Sequence, residues 1–224
     1  MFHNRRLLIG SVQRQFAGAG VTFSLSYTGK VSDTVGGTSP SYGSGAIGTA
    51  DSNRVVAAAI WSRAGTSISS VTIGGVSATQ VSGAAAANST TTLSDIWYAS
   101  VPTGTTATIA VTYAASTQRS VVYLYRVVTS TPTPNAAGHD QTTTLTSVAT
   151  TINVPSGGGA INVGGNRNFA TIPTWTNAVQ DDSIALSGAQ ATTAATTTGT
   201  GSITVTMTVG AGGEDCLSSA SWGP

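Results

Sequence analysis

The sequence predicts an all-β fold, a single antiparallel β-sandwich of jelly-roll-like character with an extended N-terminal arm. Three observations predict it. Only 8% of the 224 residues are Asp, Glu, Lys or Arg, against roughly a quarter in ordinary soluble domains, and Thr, Ser, Ala and Gly take their place. Thr and Val fill runs that alternate strictly, as in Ser202-Ile203-Thr204-Val205-Thr206-Met207-Thr208-Val209, the period of a strand with one buried face. Helical periodicity is absent almost throughout, and β-branched side chains disfavour helices because they lose χ1 freedom against the preceding turn.

Taken in order, residues 1–19 read as an arm containing Arg5, Arg6 and Arg14. Val21 to Tyr27 alternates with period two and marks the first core strand. Residues 32–52, with Gly36-Gly37 and Pro40, have loop composition. Asn53 to Trp61 is almost continuously apolar and short, the pattern of a strand buried on both faces, with a helix as the competing reading because of its three alanines. Ser69 to Ile73 and Val76 to Val81 flank Gly74-Gly75, a pair that tolerates positive φ and closes a two-residue hairpin. Leu93–Tyr98, Thr105–Tyr113 and Arg119–Val128 follow at sandwich spacing, with Pro102-Thr103-Gly104 as a turn.

Residues 129–140 form a crossover, since Pro132 and Pro134 each remove a ladder donor. Strands resume at 144–154, 160–165, 183–190, 201–209 and 216–222. Neither side of the crossover carries many large apolar residues, so the reading is one sandwich over 20–224 preceded by the arm over 1–19.

Composition also sets exclusions. The net charge of +1, from nine basic and eight acidic residues, leaves no electrostatic footprint for nucleic acid. No apolar run approaches the roughly 18 residues a membrane helix needs, so no membrane partner is expected. Arg5-Arg6-Leu7-Leu8-Ile9 looks superficially like a secretion signal, but its apolar stretch ends at Val12, short of the roughly 7 to 15 residues required. Cys216 is the single cysteine; it can form no intramolecular disulfide and is expected as a small buried hydrophobe.

The motifs are weak. Gly43-Ser44-Gly45-Ala46-Ile47-Gly48 matches a dinucleotide fingerprint by letter, but Pro40-Ser41 precede it and a strand follows, so the helix N-terminus that would hold pyrophosphate is missing. His139 stands beside Asp140, yet no nucleophile elbow accompanies them, and a solvated loop histidine is the ordinary reading. The carboxylate pairs Asp181-Asp182 and Glu214-Asp215 sit beside turn residues, where solvation, weak calcium coordination and glycosidase chemistry all remain open, in that order. Trp175, in Ile172-Pro173-Thr174-Trp175-Thr176, is read as a loop tryptophan and the best exposed contact for a sugar. No catalytic residue, cofactor or metal ligand is assigned, and the chain is expected not to be an enzyme.

The phrases DSNRVVAAAIW, VTIGGVSATQV, VPTGTTATIAVTY and RSVVYLYRV, with a terminal ASWGP, resemble short β-rich virion structural proteins of tailed phages and prophages over most of residues 20–224. The resemblance implies a head-decoration, fibre or tail-associated protein located in the virion, whose partners are copies of itself and other virion proteins. In that setting the arm residues Phe2, Arg5, Arg6, Leu7, Leu8, Ile9 and Arg14 are expected to make the partner contact on capsid or tail. A low-charge surface fits such packing, because covering it desolvates few ions. The alternative is a carbohydrate-binding sandwich for host adsorption, with Trp175 touching a host surface glycan.

Overall fold

A computed structural model describes residues 20–63, 67–88, 91–167, 171–186, 188–196, 199–210 and 213–224. The described residues form strands and no helix, and every strand pairing is antiparallel. The first part of the chain supplies β1 (Ser24–Asp33), β2 (Ser41–Ala46), β3 (Arg54–Arg63), β4 (Ile68–Ile73), β5 (Val76–Ser77), β6 (Thr79–Gln80), β7 (Ala86–Asn88), β8 (Thr92–Ser100), β9 (Thr106–Tyr113) and β10 (Arg119–Val128). The second part supplies β11 (Ala136–Thr142), β12 (Ser147–Val154), β13 (Gly159–Arg167), β14 (Thr174–Thr176), β15 (Val179–Ala185), β16 (Ala189–Thr196), β17 (Gly201–Thr208) and β18 (Asp215–Trp222).

Hydrogen bonding divides these strands among four open sheets. The first inner sheet runs β1-β10-β3-β8-β6, with β7 also on β8, and the first outer sheet runs β2-β9-β4-β5. The second inner sheet runs β11-β18-β13-β16-β15, and the second outer sheet runs β12-β17-β14. Side-chain packing fixes their stacking. Val55, Ala57, Ala59 and Trp61 of β3 join Ile161, Val163, Cys216 and Trp222 of the second inner sheet in one core, while Val56, Ala58 and Ile60 face Ile109, Val111 and Ile73 of the first outer sheet in another. On the far side, Leu217 and Ala160 meet Val148, Met207, Ile152 and Val154 of the second outer sheet. The order is therefore outer, inner, inner, outer. Where one two-sheet sandwich was expected, the described chain shows two face-to-face sheet pairs stacked on each other.

Layer position explains the sequence patterns. Strands covered on both faces are buried along nearly their whole length, as β3 and β10 are, whereas β9 and β12 alternate buried and exposed because one face is outermost. The inner strands β16 (AQATTAAT) and β18 (DCLSSASW) are buried at every residue although mostly small and polar. Their polar groups are matched inside the stack. Thr193 donates to the Asn162 carbonyl at 2.8 Å, Ser219 donates to Asn162 Oδ1 at 2.7 Å, and Asn162 Nδ2 donates to the Ala194 carbonyl at 3.2 Å, which avoids the cost of unpaired buried groups.

The Gly74-Gly75 hairpin is present, with φ of 62° and 81°, the double positive turn that suits strand twist. Its second arm is divided. Val76–Ser77 pairs with β4 in the outer sheet, but Thr79–Gln80 pairs with β8 in the inner one, so the run read as one strand links two layers. Arg54 closes the same end of the stack. It is 1% exposed, and its guanidinium donates to the carbonyls of Val101 (2.6 Å), Thr103 (2.6 Å), Gly48 (2.8 Å) and Gly104 (3.0 Å), stapling two turns to the start of β3.

The two sheet pairs share one connectivity. In each inner sheet the part's first strand lies at an edge beside its last, followed by its third, and in each outer sheet the next-to-last strand lies between the second and fourth. The inward-facing residues of β9, Ile109, Val111 and Tyr113, recur in β17 as Ile203, Val205 and Met207, and Gly104 and Gly199 before them both take positive φ. The inner sheets meet in reversed strand order. β1 contacts β15 at one rim through Tyr27 and Asp182, and β11 contacts the turn before β7 at the other through His139 and Gly83. That is the arrangement of an isologous, two-fold interface formed within a single chain.

Candidate functional site

The densest group of titratable side chains lies on the rim between β1 and β15. Consecutive strand residues normally point to opposite faces, but a β-bulge interrupts the pairing of β15 with β16 between Gln180 and Asp182. A bulge re-aims side chains, and both Asp181 and Asp182 reach tyrosines of the first inner sheet. Tyr27 donates to Asp182 Oδ2, Lys30 Nζ donates to Asp182 Oδ1 at 2.7 Å, and Tyr125 donates to Asp181 Oδ2 at 2.7 Å while lying 2.8 Å from Thr193 Oγ1.

The electrostatics make this group a fastening. Burial raises Asp182, but hydrogen bonds from Lys30, Tyr27 and the Ser183 N–H, with the Lys30 charge, outweigh it and hold the carboxyl below its ordinary value. Burial, then the hydrogen bond to Asp182 and the charges of Asp182 and Asp181, pushes the Tyr27 phenol far up; burial does the same to Tyr125. Both phenols stay protonated donors and Asp182 stays an ionised acceptor, so the rim holds the two sheet pairs together. Of the two carboxylates on β15, Asp182 has every oxygen engaged.

The other acidic groups are likewise bound into the structure. Asp95, buried against the first outer sheet, accepts from Gln80 Nε2 (2.7 Å), Trp97 Nε1 (2.8 Å) and the Ile96 N–H (2.8 Å), yet burial still carries it up to about 6. Glu214 accepts from Arg167 at 2.6 Å. Its neighbour Asp215 is fully buried, accepts from Asn166 Nδ2, and is carried by burial up to about 7, since that one hydrogen bond offsets little. Asp215 Oδ2 and Asn166 Oδ1 have no partner. Among the described residues no group of three or more His, Cys, Asp or Glu is placed to hold a metal ion.

The residues singled out in the sequence fare differently. Phe2, Arg5, Arg6, Leu7, Leu8, Ile9 and Arg14 lie outside the described residues. Trp175, read as a loop residue, sits in the short edge strand β14 paired with β17; it is half-buried against Val148, Met207, Val209 and Leu217, and its indole N–H donates to Thr192 Oγ1 at 3.2 Å. His139 is in β11, where its Nδ1–H donates to the Gly83 carbonyl at 3.0 Å; Asp140 accepts from the backbone of Ala149 and Gln141 and not from His139. In the 43–48 glycine motif, a Cβ at Gly45 would collide with Leu124, so that glycine serves close sheet packing. Cys216 is buried, and burial pushes its thiol up to about 12, out of the reactive range.

The most distinctive surface was not picked out in the sequence at all. The outer strands, with sequences SYGSGA, ISSVTI, VS, TATIAVTY, SVATTINV, TWT and GSITVTMT, contain no Asp, Glu, Lys or Arg. Every charged residue within a described strand lies in one of the two inner sheets. Water-facing sheet surfaces usually carry the charge; here they carry hydroxyls, such as Thr106 and Thr108 on one side and Thr151, Thr204 and Thr176 on the other. Counting charge strand by strand would have revealed the sorting, but only with the sheet assignment known. Compared with known proteins, this chain matches no family model, no curated protein and no solved structure.

Proposed function

We propose that this chain is a non-enzymatic structural component of a tailed-phage or prophage particle, a homo-oligomeric decoration, fibre or spike protein. In this reading residues 20–224 act as one body and the arm over 1–19 anchors it to capsid or tail. The observation that carries the proposal is the sorting of charge away from the outer sheets. A surface that stays in water gains solubility from mixed charges, whereas a surface covered by a neighbour must desolvate every ion it carries. Hydroxyl-lined outer sheets with charge confined to the inner sheets, loops and strand ends suit the second situation. The stacked cores and the rim fastening supply a rigid unit for such packing.

The test uses cells that encode the chain. After prophage induction, particles are purified on a density gradient, analysed by peptide mass spectrometry and labelled with an antibody raised against the chain. The expected result is co-purification in many copies with label on head or tail. Particles that lack the chain would refute the proposal.

A further inference from the structure

We propose that both outer faces of the stack are self-association surfaces and that the occupant is a second copy of this chain. This rests on the particle-component reading above and names the surface by which copies meet. Three observations argue for a copy over other partners. The first is charge: because neither outer sheet has a charged residue in its strands, two such faces meet with no ion desolvated and no like charges opposed. A nucleic acid or an anionic membrane would find no cation there to recruit it.

The second is precedent within the chain. The two inner sheets already pack face to face, and the core between them, which also holds Trp61, Ile161, Val163 and Trp222, includes hydroxyl pairs, with Ser94 Oγ 2.7 Å from Ser218 Oγ and Tyr125 Oη 2.8 Å from Thr193 Oγ1. The outer faces carry hydroxyls of the same kind, and part of their hydrogen-bonding capacity is already used laterally, since Thr151 Oγ1 lies 2.7 Å from Thr204 Oγ1. Such paired hydroxyls lose less on leaving water than free ones.

The third is area. Strand spacing of about 4.8 Å and a rise of about 3.3 Å per residue give about 16 Å² per strand residue, so β12, β14 and β17 together present about 300 Å² and β2, β4, β5 and β9 about 350 Å². A stable pair needs about 800 Å² from each partner. Each face is less than half of that, so a lone contact is weak and a copy is held best when both of its outer faces are occupied. That is the behaviour of a subunit in an array.

The experiment compares the full-length wild type with two variant chains. One carries Thr108→Lys, Ala110→Lys, Thr151→Lys and Thr204→Lys; the other carries glutamate at the same four exposed positions. Sedimentation velocity is run over a concentration series, on each protein alone and on an equal mixture of the two variants. The wild type is expected to show a sedimentation coefficient that climbs with concentration, each variant alone to lose that dependence, and the mixture to regain it because lysine faces glutamate. Variants that associate as the wild type does, or a mixture that fails to recover, overturn the assignment of these faces while leaving the particle reading standing. A wild type that remains a monomer at every concentration overturns the self-association surfaces, while the particle reading is decided separately by the chain's presence in purified particles.

Discussion

Replacing Asp215 with asparagine is expected to stabilise the protein at neutral and alkaline pH and to flatten its pH dependence. Asp215 is fully buried, its Oδ2 and the neighbouring Asn166 Oδ1 are both acceptors without a donor, and burial carries its carboxyl up to about 7. A proton on Asp215 converts one of these acceptors into a donor, and so does an asparagine amide. The ordinary aspartate value is about 3.9 and each pH unit of displacement is worth about 1.36 kcal/mol, so the contribution at stake is about 4 kcal/mol. Its sign follows from the direction: the stabilisation is complete below about pH 4, where both folded and unfolded forms are protonated, and is lost as pH rises through 7. Asp95, carried up to about 6, acts in the same direction but finishes its loss earlier. The assay is urea unfolding of the wild type and Asp215→Asn at pH 5, 6, 7 and 8. The variant should already lead by about 1.5 kcal/mol at pH 5, and the gap should widen to about 4 kcal/mol at pH 8. Parallel curves, or a variant less stable at pH 8, would refute the reasoning.

Three further substitutions probe the stack. Arg54→Met removes the donors that hold four carbonyls within 3.0 Å and should cost about 3 to 5 kcal/mol in chemical denaturation. Gly165→Ala places a Cβ against the Gln190 carbonyl and 2.6 Å from Trp61 Nε1, wedging the two inner sheets apart, with an expected loss of about 1 to 3 kcal/mol seen as a lower urea midpoint. Trp175→Ala empties a half-buried site against Val148, Met207 and Leu217; about 2 kcal/mol of stability should disappear, below the 3 to 5 typical of a fully buried tryptophan, and thermal melting measures it.

The all-β class was legible because the strand pattern was strong where one face met water or large side chains filled the core. β10 was read at its observed limits, β3 and β9 within two residues, and the doubly buried character of β3 followed from its apolar run. What escaped was β16. Its eight residues, AQATTAAT, are all buried, yet none is a large hydrophobe, because a strand sandwiched between sheets on both sides can be filled by alanine and paired threonine. The run read as 183–190 instead straddles the turn between β15 and β16. The layering went unseen for the same reason: judged by large apolar residues, neither side of the crossover looked able to form a core. The rim was illegible because nothing in the letters Asp181-Asp182 signals the bulge that turns both carboxyls toward one face.

The seam between the inner sheets differs at its two rims. At one, Tyr27 and Lys30 grip Asp182; at the other, His139 Nδ1–H donates to the Gly83 carbonyl and Asn88 Nδ2 donates to the Thr142 carbonyl at 2.5 Å. In a two-fold dimer of identical chains each rim residue would be duplicated, and a lysine gained on one side would arrive on both. Joining the two units in one polypeptide frees each rim to change alone. The charged grip is therefore free to fit the first unit to the second without a matching change at the opposite rim.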